Sequence, residues 1–269
     1  MSNPNKELWE KGDFTRIADT MRDSGDAFVE TLGVTEGMDV LDVGSGDGTT
    51  AVPEAQRGAN VVGVDISEPL VAAGNARAQA LGLANLKFQE GDASHLDDIA
   101  DASVDLVVTM FGAMFAPRPF DVAKELVRVV RPGGRVVMGN WIAGDPPLVA
   151  QLLRISGAYS PPPPEGFISP VTWGVESEVT ERFTAAGVPA DAISCERATW
   201  RFDHPGTPSD LLADFRDYYG PTMNAYAAAA STGREDELHA ELDALFNEQN
   251  TSSDATSIPA TFLKVTVQL

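Results

Sequence analysis

Short apolar runs alternate with amphipathic segments through most of the chain. Runs rich in Val, Ile and Leu that have the length of strands fall at 40–43, 60–66, 86–93, 104–110, 136–141, 193–202 and 258–269. Segments with helical spacing at 52–57, 70–81 and 121–130 follow the first, second and fourth of these runs. Strands that alternate with helices favour an α/β domain with a largely parallel sheet, whose inner strands are apolar because both faces are buried.

Helical patterns without intervening strands occur at two places. Residues 6–32 carry apolar side chains at helical spacing, and they are either a pair of packing helices or a lid over a bound ligand. The 55 residues 203–257 separate the last two strand-like runs and contain helical patterns at 209–219, 222–230 and 234–247. Aromatic side chains in this insertion are either core contacts or the lining of a substrate cap.

A glycine turn follows the first strand-like run. Gly44, Gly46 and Gly48 directly follow the apolar strand, and such a turn lets backbone amides approach a ligand closely. A dinucleotide-binding fingerprint requires Gly-x-Gly-x-x-Gly, but Thr49 stands at its last glycine position. The turn alone therefore indicates only a nucleotide-like ligand.

The Gly-x-Gly-x-Gly pattern, with Asp42 in front of it, resembles motif I of the class I S-adenosylmethionine-dependent methyltransferases. The run 125–134, which ends in Arg-Pro-Gly-Gly, is similar to the segment before strand five in the ubiquinone-, menaquinone- and sterol-type members of that family. The matches cover residues 38–141. The resemblance implies S-adenosylmethionine as cofactor and S-adenosylhomocysteine as product.

The same resemblance implies which residues hold the cofactor. Asp65 follows Gly44 by 21 residues at the end of the second strand, where a carboxylate can accept hydrogen bonds from both ribose hydroxyls. Asp92, at the end of the third strand, matches the acid that accepts a hydrogen bond from the adenine amino group. The predicted cofactor-binding residues are Asp42, Gly44, Ser45, Gly46, Asp65, Ile66, Gly91, Asp92, Ala93 and Thr109.

The resemblance also implies a fold and a division of the chain. The expected fold is a Rossmann-like, seven-stranded α/β sheet, mostly parallel with an antiparallel last strand, with helices on both faces. A helical cap is expected between strands six and seven. The expected parts are an N-terminal helical lid at 1–37, a core at 38–202 plus 258–269, and the cap at 203–257. Four prolines at 161–164 suggest a rigid surface strap, with a partner-binding motif as the other interpretation.

The composition of the chain limits the classes of binding partner and the cellular compartment that we expect. With 19 Lys+Arg against 40 Asp+Glu, the net charge is -21, which disfavours nucleic acid and anionic membrane as partners. The single Cys195 excludes an internal disulfide and lies in a strand-like run, as a packed thiol would. The chain shows neither a signal-peptide core nor a membrane-length apolar run, so we expect a cytoplasmic protein.

The acceptor and the catalytic groups are less well defined by the sequence. The candidate acceptor-binding residues are Met114, Phe115, Trp141, Tyr218 and Tyr219. His204, just after strand six, is either a general base or an ordinary turn residue before Pro205. No cluster of His, Cys and Glu has metal-ligand spacing, so no metal is expected.

The sequence therefore predicts methyl transfer from S-adenosylmethionine to a small, largely apolar molecule. The acceptor atom, whether O, C or N, and the oligomeric state are left open. Two alternatives are a nicotinamide-dependent reductase, which Asp65 permits and Thr49 opposes, and a non-catalytic protein that binds S-adenosylmethionine.

Overall fold

Seven strands form one mixed sheet in the computed structural model. They are β1 (Asp39–Val43), β2 (Asn60–Asp65), β3 (Leu86–Glu90), β4 (Val104–Met110), β5 (Val130–Trp141), β6 (Ile193–His204) and β7 (Thr256–Gln268). Their order across the sheet is β3-β2-β1-β4-β5-β7-β6. Strand β7 is antiparallel to β5 and β6, and the pairs among β1 to β5 are parallel. This arrangement confirms the predicted Rossmann-like sheet.

The middle strands are buried on both faces. Leu41 of β1 and Leu106, Val107 and Val108 of β4 have no exposed surface. Continuous apolar runs are what such strands require, because helices cover both sides of the sheet. Because β1, β2, β3 and β4 are parallel, their carboxyl ends lie along one edge of the sheet. The loops that leave these ends form the site described below.

Three short helices precede the sheet: α1 (Lys6–Trp9), α2 (Phe14–Asp19) and α3 (Arg22–Glu30). The predicted helical region 6–32 is therefore confirmed, but as three pieces. Asp13 begins α2, since its side chain accepts a hydrogen bond from the Thr15 amide at 3.2 Å. Such an N-cap starts a new helix and interrupts the preceding one.

The core helices are α4 (Ala51–Gln56), α5 (Glu68–Ala80), α6 (Pro119–Val129), α7 (Leu148–Tyr159) and α8 (Glu176–Ala185). Helix α6 shows why they pack as they do, because Val122, Leu126 and Val129 share one face and are fully buried. Strand β5 begins at Val130, earlier than the predicted 136, because Val130 already pairs with Val104. The Pro-Gly-Gly turn therefore lies inside β5 as a register shift.

Three further helices lie between β6 and β7: α9 (Pro208–Tyr218), α10 (Gly220–Ser231) and α11 (Glu235–Gln249). Helix α9 starts with a capping box, in which Thr207 and Asp210 satisfy each other's backbone amides. Helices α10 and α11 pack on α7, and α9 packs on α2. The predicted helical insertion between strands six and seven is thus confirmed.

The structure describes residue 3 and residues 5–163 and 165–269. Met1, Ser2 and Pro4 of the expected lid, and Pro164 of the proline tract, lie outside the described residues. Residues 161–163 are exposed and have no regular secondary structure. None of the helices within the described ranges combines the length and the apolar character needed to cross a membrane.

Candidate cofactor and acceptor site

The turn after β1 lies directly against the loop after β4. The Gly44 and Ser45 amides both donate to the Val64 carbonyl, at 2.7 and 3.1 Å, which ties the turn to the end of β2. Gly44 has a φ of +68°, and a Cβ there would lie 2.6 Å from Cα of Gly112. Only glycine fits this position, because both the left-handed backbone and the contact exclude a side chain.

Asp65 joins the glycine turn to the loop after β2. Its Oδ2 accepts the Gly46 amide at 2.8 Å and its Oδ1 accepts the Ser67 amide at 2.9 Å. Burial raises the pKa of Asp65, and the hydrogen bonds from these amides oppose that shift. Each carboxylate oxygen keeps a further lone pair, so the group can still accept hydrogen bonds from a ribose.

Asp92 lies at the end of β3, on the same edge of the sheet. Its Oδ1 accepts the Ser94 amide at 2.8 Å and the Ser94 hydroxyl at 2.7 Å. Its Oδ2 accepts the side-chain amide of Asn3 at 3.0 Å. An amide NH2 group and an adenine amino group are similar hydrogen-bond donors. The Asn3 side chain therefore occupies an oxygen of the carboxylate that the sequence predicts for the adenine amino group.

One cavity joins the glycine turn, Asp65 and Asp92 to a large apolar chamber. Its empty volume, including the mouth, is about 1170 Å³. The side for which the sequence predicts the cofactor, called the cofactor side below, is lined by Gly44, Ser45, Gly46, Asp47, Asp65, Ile66, Gly91, Asp92 and Ala93. The other side is lined mainly by aromatic and aliphatic side chains, including the candidates Phe115, Trp141 and Tyr219. A polar end that continues into an apolar end is typical of small-molecule sites, in which a few polar groups orient a ligand within an apolar lining.

Aromatic rings surround the apolar chamber, and we call six of them the aromatic arc. In order of contact they are Phe111, Trp141, Phe202, Phe215, Tyr219 and Trp9, and all six line the cavity. Successive ring centroids are 3.6, 6.2, 5.8, 5.3 and 5.9 Å apart. Phe115 lies 5.0 Å from Trp9 and brings the series back to the loop after β4.

Phe111 has a strained backbone at the start of that loop. Its φ is +64°, which is rare for a bulky residue. The conformation is held by a 2.9 Å hydrogen bond from its amide to the Gly139 carbonyl and by stacking of its ring on Trp141 at an interplanar angle of 6°. Strain of this kind clusters at functional sites, and here it directs an aromatic ring into the wall of the cavity.

Five residues predicted from the sequence do not line the cavity. They are Asp42, Thr109, Met114, Tyr218 and His204. Asp42 lies beneath the glycine turn, where it accepts the Thr50 hydroxyl at 2.6 Å. Thr109 accepts the Ala113 amide at 3.1 Å, and Met114 is a buried core residue. The structure therefore gives these three residues supporting positions.

Tyr218 and His204 lie away from the chamber for local reasons. Tyr218 faces Arg16, whose guanidinium carbon is 5.4 Å from the ring centroid. His204 Nδ1 accepts the Gly206 amide at 3.0 Å, and Nε2 lies 3.5 Å from Oδ2 of Asp214. These contacts are typical of a turn residue, and both ring nitrogens of His204 face groups outside the cavity lining.

Phe111, Trp200 and Phe202 also line the cavity, and none of them is among the residues that the sequence predicts for the site. Trp200 and Phe202 are two positions apart on β6 and both are buried, so strand alternation places them on one face. That periodicity was the available signal. It could not show that the face meets the loop after β4, which precedes it by about ninety residues.

Arg22 is another residue that the sequence did not indicate. Its guanidinium forms an ion pair with Asp47 and donates to the Thr49 hydroxyl at 2.7 Å, so α3 is fastened to the glycine turn. Within the described ranges, no group of three or more His, Cys, Asp or Glu side chains is arranged to hold a metal ion.

Two buried acids lie below the turn. Glu54 has no exposed surface and neither of its carboxyl oxygens has a hydrogen-bond partner among the described residues. Burial first, and then the charge of Asp42, raise the pKa of Glu54 well above its ordinary value. Burial likewise raises the pKa of Asp42 to about 7. Near neutral pH these groups retain protons that the unfolded chain would release.

We expect these acids to make folding stability fall as the pH rises from about 4 to about 7, because the folded state binds more protons than the unfolded state in that window. Glu54→Gln should flatten this dependence. It should also raise the stability at pH 8, because Gln removes the free-energy cost of keeping this buried carboxyl protonated. Thermal melts at constant ionic strength measure both effects, with the exposed Glu181→Gln as the matched control. Equal pH profiles for the two variants would contradict the assignment.

Comparisons with known proteins agree with this geometry. A family model described as a methyltransferase domain matches residues 41–138. The chain is 34% identical over 244 residues to the uncharacterized protein Rv1403c of Mycobacterium tuberculosis, which covers 90% of this chain and 85% of that protein. It is 34% identical over 113 residues to a demethylmenaquinone methyltransferase of Renibacterium salmoninarum, which covers 42% of this chain and 45% of that protein.

Solved structures show the same fold. The YcgJ protein of Bacillus subtilis superposes with a TM-score of 0.58 at 18% identity, covering 91% of this chain and 97% of that chain. A putative methyltransferase of Bacillus halodurans gives 0.59 at 15% identity, covering 91% and 98%. The ordered motifs, the sheet and these matches agree, and the chain belongs to the class I S-adenosylmethionine-dependent methyltransferases, with S-adenosylmethionine as its cofactor.

Proposed function

We propose that this protein transfers the methyl group of S-adenosylmethionine to a small, largely apolar organic acceptor held in the same cavity. One observation carries the proposal. The cavity that contains the glycine turn, Asp65 and Asp92 continues without a break into the chamber of the aromatic arc. A cofactor and an apolar molecule could therefore meet inside one enclosure.

The polar side of the cavity fits the cofactor. Asp65 would accept hydrogen bonds from the ribose, and Asp92 would accept one from the adenine amino group after the Asn3 amide moves away. The turn at Gly44–Gly46 would hold the methionine end. When bound, S-adenosylmethionine supplies a methyl group activated by its sulfonium, and the protein has to align the acceptor with that carbon and exclude water.

Two parts of the chain would close the site. The N-terminal helices reach across its mouth, because the Asn5 side chain donates to the Phe115 carbonyl at 2.5 Å and Lys6 pairs with Glu90. We propose that residues 1–37 form a lid on the cofactor side. Helix α9 places Phe215 and Tyr219 in the chamber, so we propose that residues 203–257 form the cap that selects the acceptor.

Positioning supplies most of the catalysis in this proposal. Among the described residues, the titratable side chains that line the cavity are Asp47, Asp65, Asp92 and Tyr219. The three acids lie on the cofactor side, and Arg22 already pairs with Asp47. Burial alone raises the pKa of Tyr219 above its ordinary value, so its phenol stays protonated at neutral pH and cannot serve as a base. Alignment in a dry chamber is then the main contribution of the protein.

The partner in this proposal is a small molecule in the cytoplasm. The net charge of -21 opposes binding to nucleic acid phosphates and to anionic membranes. The acceptor chamber is lined by apolar side chains and offers no cationic side chain among the described lining residues. Both features suit an acceptor without a phosphate group.

The test measures cofactor binding and methyl transfer separately. Purified protein is expected to bind S-adenosylmethionine in calorimetry and to move an isotopic methyl label onto a member of an apolar acceptor panel. Binding without transfer to any acceptor would favour the non-catalytic alternative. A titration with NADH tests the reductase alternative. Tight binding of NADH with no binding of S-adenosylmethionine would overturn the proposal.

A further inference from the structure

The shape of the apolar chamber restricts its ligand. The aromatic arc combines side chains from α1, the loop after β4, β5, β6 and the end of α9, so its rings are fixed by five separate parts of the fold. Phe111 and Trp141 lie parallel, whereas Phe202 and Phe215 meet at 63° and Phe215 and Tyr219 at 68°. Rings that present both faces and edges make favourable contacts with a flat aromatic molecule.

Charge argues for a neutral ligand. The carboxylates that line the cavity belong to the glycine turn and to the ends of β2 and β3, which is the cofactor side. A charged acceptor would have to lose its hydration in the aromatic chamber without a described ion partner there. A cation can bind to the face of an aromatic ring. Phe111 and Trp141, however, each cover one face of the other, because their ring centroids are 3.6 Å apart.

Two hydrogen-bond donors interrupt the apolar wall. Trp200 is 1% exposed and lines the cavity, and its indole Nε1 has no hydrogen-bond partner among the described residues. Tyr219 is 6% exposed and also lines the cavity, and its hydroxyl is the second donor. A buried donor without a partner, such as the Trp200 N–H, is costly, and an oxygen on the ligand would satisfy it.

Resting on the proposed function, we infer that the acceptor is a planar, uncharged aromatic molecule with a hydrogen-bond-accepting oxygen. The aromatic arc holds its ring, and the Tyr219 hydroxyl and the Trp200 indole N–H orient its oxygen. Tyr219 is therefore a specificity-determining residue. Tyr219 lies between α9 and α10, and its ring contacts Trp9 of α1. The proposed cap and the proposed lid therefore meet at the residue that hydrogen-bonds to the ligand oxygen.

The experiment uses four probes with the purified full chain, with S-adenosylhomocysteine present, in equilibrium dialysis. The probes are 1-naphthol, naphthalene, the saturated alcohol 1-decalol, and the cation benzyltrimethylammonium. We expect 1-naphthol to bind about tenfold or more tightly than each of the others, the factor that one neutral hydrogen bond or the loss of ring stacking represents.

Tyr219→Phe should weaken 1-naphthol binding by about tenfold and leave naphthalene binding unchanged, because the ring remains and the hydroxyl is lost. Tyr218→Phe is the matched control, since the neighbouring tyrosine lies outside the cavity lining, and it should change neither. The dialysis reads binding, so the result does not depend on methyl transfer.

Each contrary outcome overturns a named part of the inference. If 1-decalol binds as tightly as 1-naphthol, the acceptor need not be planar. If naphthalene binds as tightly as 1-naphthol, the acceptor needs no oxygen. If the cation binds more tightly than 1-naphthol, the acceptor is not uncharged. Unchanged 1-naphthol affinity in Tyr219→Phe removes the role of that hydroxyl, and no binding of any probe removes the whole inference. Failure to bind S-adenosylhomocysteine, measured in the same cells, would count against the proposed function and leave the pattern of probe affinities as a separate result.

Discussion

Gly44→Ala is expected to lower the free energy of unfolding by about 2–5 kcal/mol. The new Cβ would lie 2.6 Å from Cα and 2.9 Å from the carbonyl carbon of Gly112, at a residue whose φ is +68°. Left-handed backbone costs about 1–2 kcal/mol outside glycine, and overpacking adds about 1–3 kcal/mol. Both contacting atoms are backbone atoms of short loops that follow β1 and β4, so neither can move without displacing a central strand.

Two further glycine variants separate the causes of this loss. Gly82 also has a φ of +68° but has no atom within 4 Å of an added Cβ, so Gly82→Ala should show the backbone cost alone. Gly112 has a φ of -82° and the same close contact with Gly44, so Gly112→Ala should show the steric cost alone. Urea unfolding at constant m-value measures all three. Equal losses for Gly44→Ala and Gly82→Ala would show that the contact between the loops has no energetic role.

Asp65→Asn is expected to weaken S-adenosylmethionine binding by about tenfold or more. The change keeps the shape but places an amide NH2 group where the carboxylate accepts the Gly46 or Ser67 amide. A hydrogen bond to a charged group contributes about 1.5–3 kcal/mol, and the ribose would lose such a partner as well. The glycine turn should also loosen, because its link to the end of β2 is weakened.

Calorimetric titration with S-adenosylmethionine measures this effect, and circular dichroism shows whether the fold persists. Asp101→Asn is the matched control, because Asp101 is an exposed carboxylate whose partner is Arg128, remote from the cavity lining. A folded Asp65→Asn protein with unchanged affinity would remove Asp65 from the cofactor site.

Local sequence predicted the sheet and the polar end of the cavity. The strand positions follow from short apolar runs, which any strand buried on both faces needs. Gly44, Asp65 and Asp92 each follow a parallel strand, so the carboxyl ends of β1, β2 and β3 bring them to one edge whatever the rest of the chain does. The helical insertion before β7 was equally readable, because helical periodicity is a local property.

The lining of the apolar chamber was only partly predictable: the sequence predicts Phe115, Trp141 and Tyr219, and the structure places further aromatic rings beside them. Phe111, Trp141, Phe202, Phe215 and Trp9 are far apart in the sequence, and aromatic residues at strand or helix spacing are equally typical of a core. Tyr218 and Tyr219 are neighbours of the same type, yet only Tyr219 lines the cavity, because the chain turns between α9 and α10 at that residue. His204 turns away because the Gly206 amide holds its ring.

The sequence by itself determined the alternation of strands and helices and a nucleotide-type turn with acids at the strand ends, because these follow from local geometry. The resemblance of that turn to motif I, together with the acids that follow it, predicted the methyltransferase family. Tertiary structure alone decided which aromatic rings enclose the second half of the cavity and which of two adjacent tyrosines faces it. The physical reason is that packing between distant elements, unlike periodicity, depends on how all of them fill the same volume.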